Sequence, residues 1–290
     1  MKNIYGPLGA LFVVAVWGTT FVSSKVLLNA GLLPADIFLV RFLIAYLCMI
    51  VISHKQLWAK NLKDELTFLG LGVMGGSLYF LAENLALTYS TSANVSILVS
   101  TTPLLTAIIV SAFYRTERMT RKQSIGSLVA FIGAALVILN GQIMLHINPL
   151  GDALAIGAAV TWALYSLFMR RVMQEYSPDF ITRKIFAYGV LTILPYMWLV
   201  EGFNTDMSIW LSPLAIGNIL FLGFVASTLC YLLWNWVMRE LGAVKSTNYI
   251  YLHSLITMLA GAIILDERIT LMGLCGALVL IVGMYLAIRK

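Results

Sequence analysis

Ten stretches of 18 or more mostly apolar residues, separated by short polar, Gly or Pro punctuation, follow one another along the chain. They cover 8–28, 35–52, 66–87, 93–113, 122–140, 150–169, 181–200, 212–236, 244–264 and 270–288. Each is close to the ~20 apolar residues a helix needs to cross the hydrocarbon core. The runs are continuous, whereas strands of a membrane barrel alternate in segments of about ten residues, so the pattern predicts membrane-spanning helices. The first run lacks a small-x-small cleavage site and is expected to remain as a helix.

The polar punctuation orients these spans. With the N-terminus inside, cytoplasmic segments hold 16 of the 19 basic residues: Lys55, Lys60 and Lys63; Arg115, Arg118, Arg121 and Lys122; Arg170, Arg171, Arg183 and Lys184; Arg239 and Lys245; and terminal Lys2, Arg289 and Lys290. Arg268 alone falls in an outside loop, and Lys25 and Arg41 fall within spans. Losing one helix would invert everything downstream, so the positive-inside bias predicts ten spans with both termini cytoplasmic.

The pattern also repeats. Trp17-Gly-Thr-Thr corresponds to Trp162-Ala-Leu-Tyr, Arg41-Phe-Leu-Ile-Ala-Tyr to Arg183-Lys-Ile-Phe-Ala-Tyr, and Arg115-Thr-Glu-Arg-Met-Thr to Leu265-Asp-Glu-Arg-Ile-Thr. Gly6-Pro-Leu-Gly and Asn148-Pro-Leu-Gly open the two copies. The expected organisation is two five-helix units, 1–141 and 148–290. Five is odd, so the second unit enters the membrane from the opposite side. Inverted repeats around a central cavity are the architecture of secondary transporters.

Composition narrows the class further. At 60% hydrophobic and 11% charged, the chain is far from a soluble domain, where about a quarter of residues are charged. The formal charge of +6 is accounted for by topology, and nucleic acid is not expected as a partner. Cys48, Cys230 and Cys275 are scattered in apolar stretches, and His54, His146 and His253 are dispersed, so no metal site or cofactor is expected. The chain carries no GxxxxGK[ST] phosphate loop.

Taken together, Trp17-Gly-Thr-Thr-Phe, Arg41-Phe-Leu-Ile-Ala, Tyr79-Phe-Leu-Ala-Glu-Asn-Leu-Ala-Leu, Ser92-Ala-Asn before Pro103-Leu-Leu-Thr, and the two Glu-Arg-x-Thr loop signatures resemble the EamA-type transporters of the drug/metabolite transporter superfamily. The resemblance spans essentially the whole chain. It implies an all-α integral membrane fold in the bacterial inner membrane, helices 1–4 and 6–9 around a cavity with 5 and 10 peripheral, and export of amino acids or related metabolites. A channel and a membrane-embedded enzyme are the alternatives; an enzyme would bring clustered catalytic groups to one membrane face.

Charged residues inside the bilayer cost about 2.5–3.5 kcal/mol each on insertion scales and mark function. Lys25, Arg41 and Glu83 fall at similar depth in the outer third, and a cluster of net charge +1 suits a substrate carboxylate, with Glu83 tethering the cations or receiving an ammonium group. Asn84 extends this polar surface. Trp17, Trp162, Tyr79 and Tyr251 are the aromatic candidates for substrate contact, and Trp198 and Trp210 read as interfacial belt residues. Pro103 breaks the fourth span. Its counterpart in the ninth span reads His253-Ser254, where a proline is usual in the family, so a matching break is not evident. His253 near the midplane is a candidate for proton coupling. Thr120 and Gln123 form an expected capping box, with Thr270 capping the last helix, and Glu117 and Glu267 are read as structural. Small residues at Gly126, Ala130, Gly133 and Gly273, Ala277, Gly283 suit tight helix contacts, either internal or in a homodimer.

Overall fold

A computed structural model describes residues 4–139, 148–264 and 269–288, and these are helical with no strand among them. The helices are α1 (Tyr5–Asn29), α2 (Pro34–Ile52), α3 (Leu62–Tyr89), α4 (Ser92–Val99 and Thr102–Phe113), α5 (Arg121–Leu139), α6 (Pro149–Val172), α7 (Pro178–Glu201), α8 (Pro213–Leu241), α9 (Ala243–Thr247, Asn248–Tyr251 and Leu252–Ile264) and α10 (Leu271–Ile288). Each of the ten apolar runs therefore becomes one helix or one interrupted helix. Among the described residues nine are long and apolar enough to span a membrane; the remaining one, α9, is divided into three short pieces. Only 33–50% of each spanning window is buried. The exposed remainder carries side chains such as Leu47, Val51, Ile108, Leu191 and Leu278, as a lipid-facing surface requires.

The punctuation residues set the boundaries. Pro34, Pro149, Pro178 and Pro213 open α2, α6, α7 and α8, where the missing N–H costs nothing. Asn61, Thr91, Asn148 and Ser212 accept from backbone N–H groups at the starts of α3, α4, α6 and α8. The Thr120 N–H donates to Gln123 Oε1 at 2.9 Å and the Gln123 N–H to Thr120 Oγ1 at 3.3 Å, the reciprocal capping box. Thr270 Oγ1 accepts from the Gly273 N–H at 3.2 Å. The Glu117 side chain and Glu267 lie outside the described residues.

Packing between the halves follows an exchange rule. α1 packs on α8 and α9, while α6 packs on α3 and α4; α2 packs on α8, while α7 packs on α3. Swapping 1 with 6, 2 with 7, 3 with 8 and 4 with 9 maps each of these contacts onto another. Four irregular segments follow the same exchange, while the π-helical stretch Met197–Glu201 that ends α7 has no counterpart in α2. α3 and α8 each contain a π-helical stretch, Val73–Ser77 and Phe221–Leu229. α4 is interrupted at Ser100 and Thr101, and α9 tightens into a 3-10 turn at Asn248–Tyr251. A break thus occurs in α9 without a proline.

Both ends of the bundle are tied across the halves. At the end with the α2–α3 and α6–α7 turns, Tyr176 donates to Asp64 at 2.8 Å, Arg171 pairs with Asp64 at 3.3 Å, and Lys184 and Tyr188 both bond Glu65. Arg183 donates to the carbonyls of Ser53, Gln56 and Leu57. At the opposite end, the Ala35 N–H donates to Glu201 at 2.9 Å, and Asn204 reaches Asp36 at 3.0 Å and the Gly31 carbonyl at 2.9 Å.

α5 and α10 form a peripheral pair in which backbone meets backbone. A Cβ on Gly133 would lie 2.2 Å from the Leu280 nitrogen, one on Gly283 2.2 Å from that of Ala130, and one on Gly126 2.5 Å from that of Ala287. The small-residue stripes are therefore used within the chain. A backbone atom cannot rotate away, so Gly133→Ala or Gly283→Ala must push the helices apart. Each is expected to lower stability by about 1–3 kcal/mol, read as a fall in Tm in detergent. Gly157→Ala, with nothing within 4 Å of the added carbon, leaves Tm unchanged or slightly raised.

Candidate functional site

The helices that contact across the halves enclose a cavity lined by Trp17, Thr20 and Phe21 of α1, Arg41 of α2, Tyr79, Phe80 and Glu83 of α3, Val99 and Thr102 of α4, Trp162 of α6, Tyr231 of α8, and Ile250 and His253 of α9. Its volume of about 30 Å³ is room for two or three waters at roughly 10–15 Å³ each. With both ends tied, this is a closed conformation.

Arg41 and Glu83 are 2% and 3% exposed, so neither charge reaches solvent. The Arg41 Nε–H donates to Ser227 Oγ at 3.0 Å, and the guanidinium lies over the Phe80 ring at 4.3 Å. Its Nη1 is buried with no hydrogen-bond partner. Glu83 interacts with the Tyr79 hydroxyl one turn earlier and electrostatically with Arg41. Among the described residues, however, the direct ion pairs are Arg171–Asp64 and Lys184–Glu65. Arg41 and Glu83 share the cavity without neutralising each other in a contact pair.

Around them stands an aromatic wall. Trp17 meets Trp162 edge-on at 5.3 Å and Tyr231 at 5.6 Å, and Tyr79 lies 4.9 Å from Trp162. His253 packs edge-on against Trp17 at 6.4 Å and Phe21 at 6.3 Å. The irregular backbone supplies anchors: Trp17 Nε1–H donates to the Ala226 carbonyl at 2.9 Å, within the π-helical stretch of α8. Reciprocally, the Tyr231 hydroxyl donates to the Gly75 carbonyl at 2.5 Å, within that of α3. Each π stretch thus orients an aromatic ring that belongs to a different helix.

Of the residues expected from sequence, Arg41, Glu83, Trp17, Trp162, Tyr79 and His253 meet at this cavity. Lys25 does not join them. Its Nζ donates to the carbonyls of Leu87 at 2.5 Å and Ser90 at 3.5 Å, because the C-terminus of α3 presents carbonyls without helical partners. Asn84 donates to the Pro34 carbonyl at 3.1 Å and ties α3 to the start of α2. Tyr251 points to α5, with its hydroxyl on Ser127 at 2.8 Å. Pro103 opens the second piece of α4, and Ser254 faces Ser100 across the two breaks at 3.5 Å. Trp198 is 83% exposed, whereas the Trp210 indole folds back onto the Asn204 carbonyl at 3.0 Å.

Sequence reasoning missed Tyr231, Phe80 and Ser227. The relation that singles out Tyr231 is structural: Tyr79 and Tyr231 each stand two residues past a π-helical stretch in exchanged helices.

Comparison with known proteins agrees with this geometry. The EamA-like transporter family matches over residues 4–139 and again over 149–289. A transporter of Archaeoglobus fulgidus is 27% identical, covering 96% of each chain. A protein of Salmonella typhimurium named "Probable amino-acid metabolite efflux pump" is 30% identical over 96% of this chain and 92% of its own. One of the same name from Escherichia coli is 26% identical over 96% and 92%. A crystal structure superposes with a TM-score of 0.78 over 99% of each chain at 17% identity, a likeness of fold. The chain belongs to the EamA-like transporter family, and it is a multi-pass membrane transporter, not an enzyme.

Proposed function

We propose that the protein is a secondary-active carrier that exports amino acids or related small metabolites from the cytoplasm by alternating access. It sits in the cell inner membrane with both termini cytoplasmic, and residues 1–141 and 148–290 act as two inverted five-helix repeats. The observation that carries the reading is Arg41: a buried guanidinium with an unpartnered Nη1, facing a cavity that also holds Glu83. A buried charge left open at a cavity wall is what a carrier needs for a counter-charged group on its cargo. A substrate carboxylate fits Arg41, and an ammonium fits Glu83. The exchange rule in the helix contacts supports two equivalent halves, and the small closed cavity supports a carrier over a channel. The two relatives named as amino-acid metabolite efflux pumps favour this substrate class.

Purified protein in proteoliposomes is expected to show saturable counterflow of an amino acid; currents that do not saturate with substrate would indicate a channel. Arg41→Ala is expected to lower transport at least about tenfold, the loss of one hydrogen bond to a charged group, while lowering folded yield much less. Normal transport by the purified variant removes Arg41 from the site.

The candidate for proton coupling is His253, a titratable side chain in the cavity wall. His253→Gln is expected to keep counterflow and lose the pH dependence of net transport in vesicles. Full pH dependence in this variant rules out that role.

A further inference from the structure

The polar atoms of the cavity wall divide into those already engaged and those left open. Thr20 and Thr102 donate to carbonyls of their own helices, Trp17 O at 2.8 Å and Val99 O at 2.6 Å. The Trp17 indole and Tyr231 hydroxyl are held by Ala226 and Gly75. Two donor nitrogens in the same wall, Arg41 Nη1 and Trp162 Nε1, are buried without an acceptor. A buried indole N–H ordinarily finds a partner; the Trp162 indole lacks one and belongs to the same cavity wall as the open guanidinium nitrogen, whereas the Trp234 indole, also without a partner, lies outside that wall.

The Trp162 ring cannot turn to seek another acceptor. Trp17 at 5.3 Å, Tyr79 at 4.9 Å, Tyr165 at 4.9 Å and Tyr231 at 6.0 Å surround it, and it is 4% exposed. Its N–H is therefore fixed before substrate arrives, which makes a single donor selective.

We infer that the Trp162 indole N–H is a specificity-determining donor that, with Arg41 Nη1, forms a two-donor subsite for the substrate carboxylate. The inference rests on the carrier reading above and deepens it: discrimination between an amino acid and its decarboxylated amine is built into Trp162 as well as into the charge of Arg41. Arg41 supplies attraction to an anion, whereas the indole supplies direction. An amine lacking the carboxylate leaves both donors open.

The test uses the full chain in proteoliposomes and the twenty common amino acids. Each acid is measured by counterflow, and its decarboxylated amine is measured as an inhibitor. For the amino acid carried best, Trp162→Phe is expected to raise KM at least about tenfold, the usual loss for a hydrogen bond to a charged group. The inhibition constant of the matching amine changes less than about twofold. Trp234→Phe is the control, since it removes an equally buried, unpartnered indole N–H from a residue outside the cavity wall and is expected to leave both constants unchanged. Equal weakening of acid and amine by Trp162→Phe would mean that ring area and not the N–H is used, and overturns the inference. So does an unchanged KM for the acid. Absence of saturable counterflow across the whole panel in the wild-type protein is a different result: it removes the amino-acid carrier reading, and this subsite with it.

Discussion

Backbone that leaves the α-helix inside a membrane must find its hydrogen bonds within the protein, because hydrocarbon offers none. That constraint bears on four of the irregular segments of this chain. The π-helical stretches of α3 and α8 and the interruptions of α4 and α9 occur in helices that line the cavity, a further π-helical stretch, Met197–Glu201, ends α7 away from it, and α5 and α10 are continuous. The freed or shifted carbonyls are used: Gly75 holds Tyr231 and Ala226 holds Trp17. A π stretch inserts an extra residue and is frequent at functional sites. Here it re-aims one helix and anchors a ring of another, so the cavity wall and the backbone breaks depend on each other.

The same accounting applies to charge. An isolated guanidinium in the interior is costly, and the structure meets that cost three ways for Arg41: a hydrogen bond to Ser227, the face of Phe80 at 4.3 Å, and the nearby carboxylate of Glu83. Cation–π contact contributes about 0.5–2 kcal/mol, more when desolvated. A contact ion pair with Glu83 would satisfy the charges more fully but would leave little for a substrate to gain. Keeping the pair apart retains part of the electrostatic attraction while leaving Nη1 open.

The helices and the candidate charges were legible because each rests on a local signal. Ten apolar runs, proline at four helix starts and the Thr120–Gln123 box are all read from adjacent residues. Arg41 and Glu83 stood out because charges inside spans are rare. Depth alone misplaced Lys25, since two residues at the same depth can face different neighbours, and Lys25 lies where α3 ends. The π stretches were not legible: an extra residue per turn leaves hydropathy unchanged, and only the close glycines of α3 hint at it. A Cβ on Gly75 would lie 2.3 Å from the Tyr165 ring, a contact between helices 90 residues apart in sequence. The break in α9 was missed because proline was the expected marker. The exchange of α4 with α9, and not a residue type, accounts for its position.

The two ends of the bundle are built from equivalent turns but are unequal in chemistry. Under the exchange of helices, the α6–α7 turn meeting the α2–α3 loop corresponds to the α1–α2 turn meeting the α7–α8 loop. The first is fastened by two ion pairs, the tyrosines Tyr176 and Tyr188, and Arg183 on three carbonyls. The second is held by hydrogen bonds through Glu201 and Asn204, with Ser23 donating to Asn218 and Asn94 to Asp152, each at 2.6 Å, close by. The divergence is visible in the repeat itself, where Arg41 and Arg183 occupy matched motifs, yet one serves the cavity and the other the end. Lys184 and Glu65 are 6% and 15% exposed as side chains, so screening by water and salt is weak and the pair is harder to separate than a surface pair. A carrier that opened each end in turn would have ion pairs as well as hydrogen bonds to separate at the first end, and hydrogen bonds at the second.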